Sequence, residues 1–310
     1  MGSRQILIKG GKKWFEFSKS QTGQLDYVGK VEDCRDVDVE GMQKIESSAY
    51  FSPGQYIYVQ DELNCSPVLY VSSKTDISDK DSYEFLLHIG ALLCAVEAKN
   101  AFLAGALYWR RRNSFAKCAR LAQFIMQPLA AEILFCLVYG QFGAVSGEGV
   151  PLVFAEAKKA LGFTPEKETL EQAFVRYFKG KETVLTLPVV GANHHHWSPY
   201  SEVFENLLQN ITPDAFEAQL KKIYGAKHGT YADLSVALQA EPYNPADENA
   251  IAVMIEDIDS KLAGNSVLEK AGYVRATAAQ IIRAAKPEKM AFSARLVQLS
   301  ERETVVEIKV

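Results

Sequence analysis

The chain has 310 residues, which is enough for two or three domains with buried cores. Its formal net charge of −4 excludes an overall basic coat, so any nucleic-acid site must be local. Five cysteines without close pairs fit a reducing cytosol and give neither a disulfide framework nor a zinc ribbon. No signal peptide opens the sequence, and we expect a cytoplasmic protein of bacterial or phage origin.

Residues 1–75 are predicted to be rich in β-structure. Apolar alternation at residues 5–8 and 14–17, on either side of Gly10 and Gly11, predicts a hairpin. Further strands are predicted at residues 56–59 and 68–71. Trp14 and Phe15 have two interpretations, a base-stacking surface or core packing, and the second is the more common role of aromatic residues in a strand.

Residues 76–212 are predicted to form a mostly helical domain. The stretch 83–109 is apolar on nearly all faces, which is typical of a central helix. Two apolar runs fall short of a membrane span. Residues 85–96 are too few and are followed by Glu97 and Lys99, and residues 129–145 carry Glu132 and are broken by two glycines, so neither run predicts a span. Proline, glycine and N-cap patterns set the other boundaries. Helices are predicted at 83–109, 113–138 (kinked or split by Pro128), 153–161 (ended by Gly162), 165–178 (capped by Thr164), 199–210 and 213–224, with a strand at 183–190.

A proline-rich corner lies between two apolar runs near the C-terminus. Residues 236–238 and 250–253 read as strands, and Pro242 and Pro245 exclude helix or paired strand between them. Asn244 and Asp247 are side chains that stabilise tight turns by bonding to their own backbone. The pattern predicts a strand, a rigid polar corner and a second strand, and a rigid loop on a sheet is a good place to hold a ligand.

These residues resemble the signature of a HIRAN domain. The resemblance is carried by Leu238, Glu241-Pro242, Asn244-Pro245, Asp247, Asn249-Ala250-Ile251 and Val253, followed by Ala271-Gly272-Tyr273-Val274. It covers about residues 224–310, and residues 1–212 resemble no family. It implies a small β-barrel related to the OB-fold, in a family whose best understood member type grips the 3′ end of single-stranded DNA. Residues 213–310 are therefore expected to form this barrel with a leading helix.

The resemblance also implies a binding site around the corner. Asp247 matches the family's aspartate, which can accept a hydrogen bond from the terminal hydroxyl. The aromatic residue usual before it is replaced by Ala246, and Tyr243 or Tyr231 is the substitute that stacking would tolerate. Tyr273, Arg275 and Lys227 complete the implied nucleic-acid contacts. The alternative interpretation is that Asn244, Asp247 and Asn249 only satisfy a turn.

A second candidate site lies in the helical segment. Between residues 98 and 130 there are six basic residues and no acidic one, beside Tyr108 and Trp109. Basic residues interleaved with aromatics are typical of a single-strand groove, although a solvated turn between helices has the same composition. The candidate contacts are Arg110, Arg111 and Arg112.

The sequence predicts no cofactor, no metal site and no catalytic residue. The histidines 194–196 are consecutive and lack acidic or cysteine partners at ligand spacing, so capping a helix or packing of Trp197 explains them better. No phosphate-binding loop and no protease or nuclease motif occurs, which leaves the question of an enzyme open.

We therefore predict an α+β protein with an N-terminal β-rich segment, a central helical domain and a C-terminal HIRAN-like barrel. The leading hypothesis is a non-catalytic protein that binds single-stranded or end-bearing DNA. One alternative is a scaffold or oligomer that docks through the apolar helix at 83–109 and whose degenerate HIRAN barrel no longer binds DNA. The other is a nuclease of unrecognised fold. No membrane partner is expected.

Overall fold

A computed structural model describes most of the helical and barrel regions. The described residues are 5–10, 13–19, 25–31, 40, 42–46, 68–71, 80–140, 142, 152–195, 197, 212, 234–287, 292–299 and 304–310. The predicted strand at 56–59, the predicted helices at 199–210 and 213–224, and the candidate residues Lys227 and Tyr231 lie outside them. Contacts divide the chain into two compact units. The first comprises Met1–Gln55, Leu63–Leu134 and Ser146–Ala160, and the second comprises Tyr56–Glu62, Phe135–Val145 and Leu161–Val310.

The first unit contains a five-stranded antiparallel sheet of spatial order β3-β2-β1-β5-β4. The predicted hairpin is confirmed, with Gly10 pairing with Lys13 at its end. Trp14 and Phe15 are 7% and 1% exposed, so the core interpretation of these aromatics is the correct one. The strands are β1 (Gln5–Gly10), β2 (Lys13–Lys19), β3 (Leu25–Val31), β4 (Gln43–Glu46) and β5 (Val68–Val71).

Two helices, rather than the one we predicted, form the long apolar stretch. Helix α1 (Lys80–Glu97) ends before Lys99, whose φ of 57° is left-handed, and helix α2 spans Ala101–Lys117. Asn100 starts α2, because its side chain accepts a hydrogen bond of 2.7 Å from the Leu103 backbone N–H. The local cap overrides the continuous apolar pattern. The apolar side chains of residues 86–96 and 101–107 are buried in the fold.

The next helices also begin and end at residues that differ in part from the prediction. Helix α2 continues through the predicted start at Asn113, and helix α3 (Ala119–Met126) begins after Cys118. Pro128 breaks the helix as predicted, in a 3-10 turn at Gln127–Leu129. Helices α4 (Ala130–Tyr139) and α5 (Leu152–Leu161) follow, and Gly162, with φ of 69°, ends α5 as predicted.

Within the described residues, one helical stretch, Ala119–Tyr139, is long and apolar enough to cross a membrane. Length and composition alone place it in that class, and a core helix passes the same test. Of its most apolar window, 61% is buried inside the fold.

The second unit contains a closed antiparallel barrel of spatial order β10-β11-β6-β9-β8-β7. Closure leaves no sheet edge exposed among these six strands. The strand predicted at 183–190 is one of them, so the barrel uses residues on both sides of position 212. The strands are β6 (Val184–Val190), β7 (Val236–Ala240), β8 (Ile251–Glu256), β9 (Leu268–Val274), β10 (Ser293–Leu299) and β11 (Thr304–Lys309).

Gly272 allows the close approach of β9 to β6. Its φ is 152°, and a Cβ atom at this position would lie 2.5 Å from the Val190 carbonyl oxygen and 2.7 Å from Val189 Cγ1. Because one of these atoms is backbone, a larger residue would require the strand itself to move.

Helices of the second unit complete the described fold. Helix α6 (Leu170–Phe178) begins at Leu170, not after Thr164, because Thr169 and Gln172 form a reciprocal capping box. Helix α7 spans Ile258–Leu262, and helix α8 (Ala276–Ala285) packs against α6. The predicted α+β class is confirmed: N-terminal strands, central helices and a C-terminal six-stranded barrel.

Candidate nucleic-acid interface

The corner between β7 and β8 is held by its own backbone. The Glu241 N–H donates to the Ala250 carbonyl at 2.9 Å, and the Ala250 N–H donates to the Asp247 carbonyl at 3.0 Å. Pro242 and Pro245 fix two φ angles between these bonds. The corner is thus a short, closed loop whose ends continue the pairing of β7 with β8.

Two side chains bond to the turn, as the polar-corner pattern predicts. Asn244 Oδ1 accepts a hydrogen bond of 3.0 Å from the Ala246 N–H. Asp247 Oδ1 accepts one of 2.8 Å from the Asn249 N–H, and the Asp247 side chain is half-buried. One carboxylate oxygen of Asp247 therefore has a structural role in its own loop.

A network of polar side chains joins the corner to strand β9. Tyr273 Oη donates to Glu241 Oε2 at 3.0 Å, and Asn244 Nδ2 donates to the same oxygen at 3.0 Å. Lys270 Nζ forms an ion pair with Glu241 Oε1 and donates to Tyr273 Oη at 3.1 Å. The Lys270 ammonium also lies 5.0 Å from the centre of the Tyr273 ring. Four side chains from two elements thus hold one another in place.

The electrostatics of the network favour the ionised carboxylate of Glu241 and the protonated amine of Lys270. Partial burial raises the pKa of Glu241, but the hydrogen bonds from Lys270, Asn244 and Tyr273 outweigh it and hold that pKa below its ordinary value. The hydrogen bond to Glu241 raises the pKa of Lys270. The corner therefore carries a neutralised ion pair near pH 7, and the carboxylates of Asp247 and Glu248 lie beside it in the sequence.

Tyr243 is the most exposed large hydrophobic side chain of the described residues. It lies on the corner between the two prolines and is 96% exposed. Exposing a whole tyrosine ring gives up the favourable burial that an aromatic side chain usually obtains. Its backbone position is set by a rigid loop, and its aromatic ring faces solvent.

A histidine from the connection that follows β6 contacts the Tyr273 ring. His195 follows the 3-10 turn Ala192–His194 at the end of β6, and its ring lies edge-on to Tyr273 with centroids 5.4 Å apart. Val190, which is 37% exposed, pairs with Tyr273 across the two strands. The structure thus ties the corner that carries Tyr243 and Asp247 to Tyr273 through Glu241 and Asn244, and adds His195.

Arg275 has a structural role. Its guanidinium donates to the Gly140 carbonyl, in the same unit as the barrel.

Trp197 is buried, and its Nε1 donates to the Glu256 carbonyl at 3.2 Å, in keeping with packing rather than ligation. In the part of the chain that is described, no group of three or more His, Cys, Asp or Glu side chains is arranged to hold a metal ion.

The three arginines of helix α2 have different environments in the first unit. Arg110 is exposed. Arg111 lies at a kink, with φ of −118° and ψ of 17°, and donates to Glu84 Oε2 at 2.9 Å. The Arg112 guanidinium stacks over the Trp109 ring at 4.1 Å from its centre. Arg111 therefore forms an ion pair, whereas the Arg112 guanidinium is exposed and stacks on a ring.

Sequence reasoning missed Glu241 and Lys270 as members of the site. Glu241 belongs to the resemblance, but its role was not visible because its partner is 29 residues away in the chain. The available signal was the spacing of Lys270 and Tyr273, which a bulge in β9 brings to one side of the strand.

No protein-family model, curated protein or solved structure matches the chain. The class that the fold itself defines is a protein with a closed six-stranded antiparallel barrel, compatible with a small OB-like barrel.

Proposed function

We propose that the barrel is a HIRAN-like module that binds the free 3′ end of single-stranded DNA without catalysis. The observation that carries this proposal is Tyr243, a 96% exposed aromatic ring on a corner stiffened by two prolines. Stacking of a base on such a ring contributes about 1–3 kcal/mol and tolerates varied geometry. Tyr243 then takes the role of the aromatic residue that the family usually has at the position of Ala246.

The chemistry of the corner suits a hydroxyl end better than a phosphate end. The Asp247 carboxylate can accept a hydrogen bond from a terminal hydroxyl through the oxygen that does not bond to Asn249. A terminal phosphate would instead meet the negative charges of Asp247 and Glu248. Lys270 offers little compensation, because it is paired with Glu241.

The proposed partner is single-stranded or end-bearing DNA in the cytoplasm. Docking of a protein partner or a second copy through the helical region stays a prediction. The burial of residues 86–96 and 101–107 in the fold gives it no added support.

The test is a titration of the full chain with three labelled DNAs of one sequence. These are a linear strand with a 3′ hydroxyl, the same strand with a 3′ phosphate, and a covalently closed circle. We expect the 3′-hydroxyl strand to bind at least about tenfold more tightly than the others, a difference equivalent to one hydrogen bond with a charged group. Equal affinity for all three would remove the end-recognition proposal.

A further inference from the structure

A cleft in the first unit lies between helices α3 and α5 and has a volume of about 620 Å³. Its size falls within the roughly 300–1,000 Å³ of sites for small ligands. Residues from both helices line it, together with Gln127 and Ala130, which follow α3. The cleft belongs to neither the barrel corner nor the arginine run of α2.

The helical periods place most of the lining residues of each helix on one face. Arg120, Gln123, Phe124 and Gln127 recur at intervals of three, four and seven residues, which defines a single helix face. The residues Val153, Glu156, Ala157 and Ala160 of α5 recur in the same way, and both stripes line the cleft.

The floor of the cleft is apolar and its rim is cationic. Val153 and Ala157 are 2% and 1% exposed, so they form a packed base. Arg120 and Lys159 are exposed at the rim. Lys159 has one acidic neighbour, Glu156, at 4.0 Å, and an exposed pair at that distance contributes little stability, so Lys159 can exchange Glu156 for another anion.

Phe124 gives the cleft an aromatic surface of fixed orientation. Its ring is 43% exposed, and it packs edge-on against the buried Phe15 with centroids 6.3 Å apart. The contact with Phe15 holds the ring in place while leaving part of it open. An aromatic ring, two glutamine amides and two cations are the groups that stack on a base, bond to its edge and neutralise its phosphates.

We propose that this cleft is a second contact site for single-stranded nucleic acid, independent of strand ends. A base stacks on Phe124, Gln123 and Gln127 bond to its edge, and Arg120 and Lys159 meet the flanking phosphates. Charge supports the assignment, because no acidic residue occurs between positions 98 and 131. An acidic peptide would use the two cations but would leave the aromatic ring and the glutamines without a matching role.

The test uses the full chain and a covalently closed single-stranded DNA circle, which has no end for the barrel to hold. We expect the double variant Arg120→Glu, Lys159→Glu to weaken circle binding at least tenfold. It should also lower the slope of log affinity against log salt by about 1–2, because two phosphate contacts are lost. The double variant Lys167→Glu, Lys179→Glu is the control, because it changes the net charge by the same amount. Both lysines are exposed, belong to the second unit and do not line the cleft, so both quantities should stay unchanged.

A second pair of variants separates stacking from charge. Phe124→Leu keeps an apolar side chain without a ring and should weaken circle binding about tenfold, whereas Phe124→Tyr should retain it. Each variant is checked for an unchanged melting temperature. A poly-glutamate peptide serves as competitor and should displace the circle poorly.

Three results would overturn the proposal: no binding of the circle by the wild-type chain, binding insensitive to the cleft variants, or displacement by poly-glutamate as effective as by DNA. Failure of end recognition is a different result, since it appears in the comparison of 3′-hydroxyl and 3′-phosphate strands. The cleft variants should leave that preference intact.

Discussion

The Tyr273 hydroxyl and the Glu241 carboxylate are joined by a hydrogen bond of 3.0 Å, although the two residues are 32 positions apart. The bond ties strand β9 to the corner that carries Tyr243. Because Glu241 also accepts from Asn244 and pairs with Lys270, the corner is braced from several directions. A braced loop loses less conformational entropy on binding than a free one, which favours a ligand site here.

Removing the Tyr273 hydroxyl should loosen the corner. We expect Tyr273→Phe to lower the free energy of unfolding by about 1 kcal/mol, since Glu241, Asn244 and Lys270 each lose a partner. Hydrogen exchange of the backbone at residues 241–250 should also speed up. Tyr243→Phe is the matched control, because its exposed hydroxyl should affect stability by less than about 0.5 kcal/mol. Urea denaturation measures both, and equal effects of the two variants would contradict the bracing role.

Two substitutions at Asp247 separate its charge from its turn. Asp247→Asn keeps an oxygen that can accept the Asn249 N–H, whereas Asp247→Ala removes it. If the carboxylate recognises a terminal hydroxyl, both variants should lose most of the preference for a 3′ hydroxyl, and only the alanine variant should lose stability. Retention of that preference by Asp247→Asn would show that the residue serves the turn alone. The comparison needs affinities for 3′-hydroxyl and 3′-phosphate strands and a urea midpoint for each variant.

Buried His88 should make the first unit sensitive to acid. His88 is 2% exposed, and its Nε2–H donates to the Leu107 carbonyl at 2.6 Å. Burial lowers the pKa of His88 to about 4, against the opposing effect of that hydrogen bond and with help from Arg111 and Arg110. The unfolded chain takes up a proton near pH 6.5, whereas the folded chain does so only near pH 4. The stabilisation is thus fully present above pH 6.5 and declines as the pH falls to about 4.

We expect this decline to reach up to about 3 kcal/mol between pH 6.5 and pH 4. His88→Gln retains a donor for the Leu107 carbonyl without titrating, so the difference in pH dependence between wild type and variant isolates the histidine. Urea midpoints measured across this range provide the comparison. The exposed His194→Gln is the control and should follow the wild type, and identical profiles for His88→Gln and wild type would rule out the effect.

Local chemistry made much of the fold predictable. The hairpin around Gly10, the strand at 68–71, the break at Pro128 and the end of α5 at Gly162 all follow from residues that act within a few positions. The polar corner was predictable for the same reason, because Pro242 and Pro245 exclude regular structure on their own.

The wrongly predicted helix boundaries arose where two local signals competed. Thr164-Pro165 and Thr169 both look like helix starts, and the capping box with Gln172 decided for the second. The apolar run at 83–109 concealed the cap at Asn100. Hydrophobic pattern alone reports burial, and both helices are indeed buried, but it does not report where a buried chain turns.

The candidate sites depend on pairs that are distant in the chain. Neither the partnership of Lys270 with Glu241 nor that of Arg111 with Glu84 has a sequence signature, because each joins different elements. The same holds for the membership of β6 in the barrel. Sequence identified the corner and the basic stretch, and geometry determined which partners their side chains contact.

The most direct test of the central claim is a photocrosslink from the terminal base of a bound strand. A linear single strand would carry 5-iododeoxyuridine at its last 3′ nucleotide, with a free 3′ hydroxyl, and mass spectrometry would map the adduct. Stacking on the corner predicts that the major adduct is on Tyr243 and disappears when the same label is placed at the 5′ end. The absence of an adduct on Tyr243, or equal labelling of Tyr243 from both ends, would contradict the claim.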